Sequence, residues 1–153
     1  MDNGQETLAV LIDEERFDEA LSLLSVIESA RSLTLLELLL KGRCIQLASG
    51  TGTPPLSEAE RAFIQALEQD AEYVPALLEL GWFYFSVEDD AKKAMPLFER
   101  ALALSLNQLR EAIRGKRDCL EELQSSELAE KFLRDVIRNI LEEAIGEDGH
   151  DQG

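Results

Sequence analysis

Histidine, cysteine and aromatic residues are scarce in this sequence, and the scarcity of histidine excludes most enzyme sites. Histidine occurs once, at His150, and the chain contains no GxxxxGKS/T, GxSxG or HExxH pattern. Such patterns bring a phosphate cradle, an activated nucleophile or metal ligands to one place. The sequence therefore predicts a protein that is not an enzyme and carries no metal or cofactor.

The two cysteines, Cys44 and Cys119, lie far apart in sequence and far from the histidine. Neither belongs to a CxxC pair, so the sequence predicts two reduced thiols buried on helices rather than a disulfide or a metal site. Aromatic residues make up 6% of the chain and hydrophobic residues 45%. This balance favours helices packed through small side chains over a β-sandwich.

Long apolar runs are also missing. The most apolar window, residues 33–40, contains Glu37 and is followed by Lys41 and Arg43, so it predicts a helix of a soluble protein. The N-terminal residues MDNGQE lack the basic region of a signal peptide. We therefore expect a cytoplasmic protein that is not inserted in a membrane.

Basic residues are outnumbered, with 15 Lys and Arg against 31 Asp and Glu and a formal net charge of −16. A charge of this sign opposes binding to nucleic acids and to anionic membranes. It permits a basic protein as a partner.

Apolar residues recur at helical spacing along most of the chain and predict about eight helices. The predicted helices cover approximately residues 5–11, 17–27, 35–47, 57–70, 73–86, 94–101, 108–123 and 126–145. Ser57 and Glu60 have the spacing of a capping box at the start of the fourth helix. Pro96 predicts a kink or a start in the sixth, because proline removes a backbone hydrogen bond.

Small and large residues alternate in a pattern that repeats along these helices. The recurring alanines, at intervals of 39, 35 and 35 residues, are Ala20, Ala59, Ala94 and Ala129. The best-defined copy consists of Ala59, Phe63 and Ala66, followed in the next helix by Leu77, Leu80, Gly81 and Tyr84. This order resembles the tetratricopeptide repeat (TPR), a helix pair with a period of about 34 residues.

The resemblance implies an all-α fold, a right-handed helical-repeat array of about eight helices with an amphipathic C-terminal helix. One TPR-like domain would span residues 1–146, and residues 147–153 would form a disordered acidic tail. The number of repeats and the acidity also resemble, more distantly, the TPR chaperones of type III secretion. Proteins of the TPR family bind other proteins, so the resemblance implies a partner-binding groove on the concave face.

In the family's pattern, certain residues of the leading helices face that groove. Here these inward residues are Leu39, Arg43, Leu78, Trp82, Phe85, Arg110, Ile113, Arg114 and Arg117. Trp82, the only tryptophan, is either a partner anchor or a residue that the chain's own terminal helix covers. The basic residues are either an anion contact beside the aromatic groove or a solvated helix face that balances nearby acids.

Three hypotheses about function follow. The leading one is a non-enzymatic adaptor or chaperone that holds a segment of another protein in the groove. The second is an acidic immunity or antitoxin-like protein that neutralises a basic partner. The third is a purely structural oligomerisation module, and a homodimer formed through the C-terminal apolar stripe is compatible with it.

Overall fold

The computed structural model describes the backbone of residues 3–122 and 126–146 and the side chains of residues 7–122 and 127–142. Within these ranges the chain forms seven α-helices and no strand. The helices are α1 (Asn3–Asp13), α2 (Phe17–Ala30), α3 (Leu35–Leu47), α4 (Leu56–Gln69), α5 (Val74–Trp82), α6 (Ala91–Glu122) and α7 (Ser126–Gly146). A π-helical turn, Phe83–Val87, continues α5. The all-α class is confirmed.

The predicted number of about eight helices is wrong, because the sixth and seventh predicted helices are the single helix α6 of 32 residues. Pro96 lies inside α6, which begins at Ala91. The proline removes one backbone hydrogen bond near the start of the helix and does not end it. Residues 101–108 contain neither glycine nor proline, so nothing in this stretch breaks the helix.

The chain divides into two compact units, Met1–Leu104 and Ser105–Gly153. In the first unit α3 packs against α2, α4 and α5, and the core lies between these helices and α1. Its largest fully buried side chains are Phe63, Leu8, Leu24, Ile45, Glu37 and Cys44. The predicted domain, residues 1–146, spans both units, and the predicted tail, residues 147–153, lies outside the described residues.

The second unit contains the predicted amphipathic C-terminal helix, α7. Ala129 is buried, and the ammonium group of Lys116 lies 4.0 Å from the centroid of the Phe132 ring. This contact joins the end of α6 to α7 within the unit. Four apolar residues of α7 are exposed: Leu128, Ile137, Ile140 and Leu141.

Small residues lie where α3 meets α4 and where α5 meets α6. Ala59 and Ala66 are fully buried. A Cβ atom built on Gly42 would overlap the ring of Phe63, and one built on Gly81 would lie 2.9 Å from Cε1 of Phe98. In both pairs the glycine therefore lets a phenylalanine of the next helix approach the backbone.

The capping box lies at the start of α3 and not, as predicted, at Ser57. The backbone N–H of Glu37 donates to Thr34 Oγ1 (3.3 Å), and the backbone N–H of Thr34 donates to the Glu37 carboxylate (2.8 Å). Helix α4 instead begins after Pro55, whose ring carries no hydrogen-bonding group that could cap it. Glu60 accepts a hydrogen bond from Tyr84 Oη (2.8 Å).

The two cysteines differ in exposure, so the prediction of two buried thiols is wrong for one of them. Cys44 is buried in the core, whereas Cys119 is exposed on α6. Burial raises the pKa of the Cys44 thiol to about 11, so that little reactive thiolate is present at neutral pH.

We expect a thiol reagent such as Ellman's reagent to modify one cysteine per native chain within minutes and the second only in denaturant. The Cys119→Ser variant should then lose the fast reaction, and the Cys44→Ser variant should keep it. Fast modification of both thiols in the native wild-type protein would contradict the burial of Cys44.

Candidate functional site

An apolar groove lies between the end of α5 with its π-helical turn and the start of α6. Its cavity volume is about 620 Å³. The groove is lined by Trp82, Phe85, Ala91, Ala94, Met95, Phe98, Glu99 and Leu102. All of these residues belong to the first unit, and Glu99 is the one charged residue among them.

Three aromatic rings form the centre of the groove. The Trp82 ring lies edge-on to Phe98, with centroids 5.1 Å apart, and edge-on to Phe85, with centroids 5.9 Å apart. Such edge-to-face pairs stabilise one another beyond the area that they bury. Trp82 is nevertheless 55% exposed and Phe85 50% exposed. The rings are thus held in place while much of their apolar surface faces solvent.

The π-helical turn separates the inward and outward aromatic residues at the end of α5. Phe83 is buried and lies against Phe63 of α4, with ring centroids 6.5 Å apart. Phe85, two residues later, faces the groove. Turns of this type are rare and are found frequently at functional sites.

Helix α6 supplies the other wall through an apolar stripe that the sequence analysis did not assign to the site. Met95 and Leu102 are exposed, and Phe98 lies between them. Their spacing of i, i+3 and i+7 places them on one face of a helix. This spacing is visible in the sequence, but which neighbour the face contacts depends on how α6 packs against α5.

The structure brings together only part of the predicted site. Trp82 and Phe85 line the groove, while Leu78 is exposed on α5 but does not line it. Leu39, predicted to face the groove, is 7% exposed and belongs to the core. Its burial follows from the position of α3, which packs against three other helices.

Arg43 is exposed on α3, and its Nε atom lies 3.6 Å from the Glu79 carboxylate of α5. An exposed pair at this distance contributes little to stability, about 0 to 1 kcal/mol. Arg43 is therefore accessible to solvent.

The predicted basic residues of α6 belong to the second unit. Arg114 pairs with Glu111 at 3.1 Å, and Arg117 pairs with Asp118 at 2.6 Å. The hydrogen bonds that the Arg117 guanidinium donates to Asp118 raise the pKa of Arg117. These pairs favour a solvated helix face that balances its own acids. The other two predicted residues are Arg110, which is exposed, and Ile113, which is partly buried.

A comparison of the chain with protein-family models, curated proteins and solved structures returned no match. Across the described residues, every helix is too short or too polar to cross a bilayer. The same residues contain no cluster of three or more histidine, cysteine, aspartate or glutamate side chains arranged to hold a metal ion.

Proposed function

We propose that this protein is a cytoplasmic, non-enzymatic adaptor or chaperone that holds a segment of another protein in the groove. The observation that carries this proposal is the half-exposed aromatic cluster of Trp82, Phe85 and Phe98. Aromatic residues are enriched at the centres of protein interfaces, where a few anchors supply most of the binding free energy. A preformed aromatic groove of this kind fits a protein ligand.

The recurrence of one contact in consecutive helix pairs supports a right-handed TPR-like array as the scaffold. Gly42 faces Phe63 in the pair α3–α4, and Gly81 faces Phe98 in the pair α5–α6. Each pair thus uses a glycine in its first helix and a phenylalanine in its second, which is the order expected for the repeat. A stack of such pairs supplies a continuous binding surface.

The proposal is tested by recovering the partner from the native host by pull-down and mass spectrometry, followed by calorimetry with purified variants. Trp82→Ala should weaken partner binding by more than tenfold, because truncating an aromatic anchor costs about 2 kcal/mol. The matched control, Val26→Ala, removes an exposed apolar side chain of α2 and should leave the affinity unchanged. Circular dichroism verifies that each variant is folded.

Unchanged affinity in the folded Trp82→Ala variant would contradict the groove as the binding site. It would favour the second candidate, an acidic protein that neutralises a basic partner, for which the net charge of −16 is the supporting observation. In that case binding would instead fall steeply with salt concentration.

The third candidate, an oligomerisation module, is supported by the exposed apolar residues of α7. Light scattering on the pure protein distinguishes it from the first two candidates. If the protein forms an oligomer that cannot bind any other protein, the oligomerisation module would replace the adaptor proposal.

A further inference from the structure

The groove has a counterpart inside the protein, because the pairs α3–α4 and α5–α6 share the glycine–phenylalanine contact. Gly81 follows Gly42 by 39 residues, and Phe98 follows Phe63 by 35 residues. Positions of α5 can therefore be matched to α3 by the first offset, and positions of α6 to α4 by the second. The matched surfaces can then be compared residue by residue.

On the first pair, a helix packs on the matching surface. Helix α5 with its π-helical turn lies on it through three contacts. The Phe83 ring meets the Phe63 ring, Tyr84 Oη donates to Glu60, and Glu79 pairs with Arg43. Burial, followed by the bond to Glu60, raises the pKa of Tyr84 to about 12, which agrees with an enclosed contact.

On the second pair, the same positions are the groove residues. By the two offsets, Arg43 corresponds to Trp82, Glu60 to Met95, Phe63 to Phe98, Ile64 to Glu99 and Leu67 to Leu102. Arg43, Glu60 and Phe63 contact α5 or its π-helical turn. The matching Trp82 and Met95 are exposed, and the matching Phe98 lines the groove.

We propose that the groove binds an amphipathic α-helix of a partner protein, in the place that α5 occupies on the preceding pair. This inference rests on the proposed function and specifies the chemistry of the bound segment. Trp82 and Met95 stand where Arg43 pairs with Glu79 and Glu60 accepts a hydrogen bond from Tyr84 Oη. The partner helix therefore presents apolar side chains at both positions where α5 presents Glu79 and the Tyr84 hydroxyl.

Charge defines the flanks of that helix. Glu99 lines the groove at the position that matches Ile64 of α4, so a lysine or arginine of the partner helix pairs with Glu99. Residues 1–104 contain 19 acids and 8 bases, and this excess attracts a basic segment over a longer distance. A second copy of the chain would bring another net charge of −16 to the same surface. The bound helix is thus apolar on one face and basic beside it.

Trp82 is the only tryptophan, so its fluorescence reports on the groove directly. The probe is a synthetic leucine–lysine peptide of about 18 residues, five helical turns, with its leucines at helical spacing. Two controls are a peptide of the same composition with scrambled spacing and a leucine–glutamate peptide with the same apolar face. We expect saturable binding and a blue shift of the emission with the probe, and at least tenfold weaker binding of both controls.

Variants separate the groove from the acidic surface as a whole. Met95→Glu places a charge in the groove and should abolish the blue shift and weaken binding of the probe by more than tenfold. Val26→Glu adds the same charge on α2 and should leave both unchanged. Glu99→Lys alters an exposed residue, so the fold is retained, and it should shift the preference towards the leucine–glutamate peptide.

Three results would overturn the inference. Binding of the probe without a change of emission would place it on the acidic surface outside the groove. A blue shift that depends on protein concentration alone would make a second copy the occupant. Emission that is already blue-shifted and does not respond to the probe would mean that the chain's own residues fill the groove.

The failure of this inference is distinguishable from the failure of the proposed function. A recovered partner that depends on Trp82 but binds through an extended segment would refute the helix and leave the adaptor proposal standing. If neither a recovered partner nor the probe depends on Trp82, both proposals are wrong.

Discussion

Replacing Gly42 with leucine is expected to lower the free energy of unfolding by about 3 kcal/mol, the upper end of the usual cost of overpacking a core. A Cβ atom alone on Gly42 would overlap the Phe63 ring. Phe63 is fully buried, so its ring has no open space into which it can move. Urea denaturation followed by circular dichroism measures the loss.

Gly81→Leu is the matched control, because Gly81 holds the same place against Phe98. Here the loss should be about 1 kcal/mol, since Phe98 borders the open groove and its ring can move towards solvent. The helix propensity gained by replacing glycine, about 1 kcal/mol at most, is the same at both positions and cancels in the comparison. An equal or larger loss at Gly81 would contradict the difference in packing.

The helix-forming part of the fold could be predicted because its signals are local. The range predicted for the third helix, residues 35–47, matches α3. Pro75 lies in the first turn of α5, where its missing N–H would have no partner within the helix. The burial of Ala59 and Ala66 also followed from spacing along one helix. Such features depend on residues within two helical turns of one another, so they can be read from the sequence alone.

The predicted break between the sixth and seventh helices came from the repeat period and not from a local signal. The repeat pattern requires a turn in this region, but the residues between Ala101 and Gln108 include no glycine or proline to make one. The local preference for helix therefore prevailed over the expected period, and α6 is continuous.

Only the α5 side of the groove could be predicted from the sequence. The resemblance to the TPR pattern is enough to place Trp82 and Phe85 at the groove, because it assigns both to inward-facing positions of one helix. Met95 and Leu102 become part of the site only through the rotation of α6 against α5, which is fixed by the contact of Phe98 with Gly81. The burial of Leu39 could not be predicted for the same reason, because it depends on the packing of α3 against several helices at once.

The burial of Glu37 could not be predicted from the sequence either, because a glutamate in an apolar window is expected to face solvent. Its side chain is 1% exposed. The Arg31 guanidinium donates to both carboxylate oxygens, at 2.6 and 2.8 Å, and Thr34 donates from its backbone N–H and its hydroxyl. These four hydrogen bonds satisfy the charge and fix the start of α3 against the end of α2.

The carboxylate of Glu37 should make the free energy of unfolding depend on pH in the acidic range. The hydrogen bond from Arg31, followed by those from Thr34, holds the pKa of Glu37 at about 2, below its usual value of 4.5. A lowered pKa means that the stabilisation is complete above about pH 4.5 and is lost as the pH falls towards 2. The shift, discounted because Arg31 is half exposed, corresponds to about 2 kcal/mol.

Glu37→Gln should therefore lower the free energy of unfolding by about 2 kcal/mol at pH 7, while near pH 2 the variant and the wild type should be equally stable. The control is Glu19→Gln, because Glu19 also accepts two hydrogen bonds from an arginine, Arg16, but lies exposed to solvent. Solvent screens an exposed pair of this kind, so Glu19→Gln should change the free energy of unfolding far less than Glu37→Gln. Denaturation series at several pH values compare the three proteins. Since the glutamine cannot titrate, the difference between Glu37→Gln and wild type must shrink with acid, and a difference that stays constant from pH 7 to 2 would contradict the charged, buried state of Glu37.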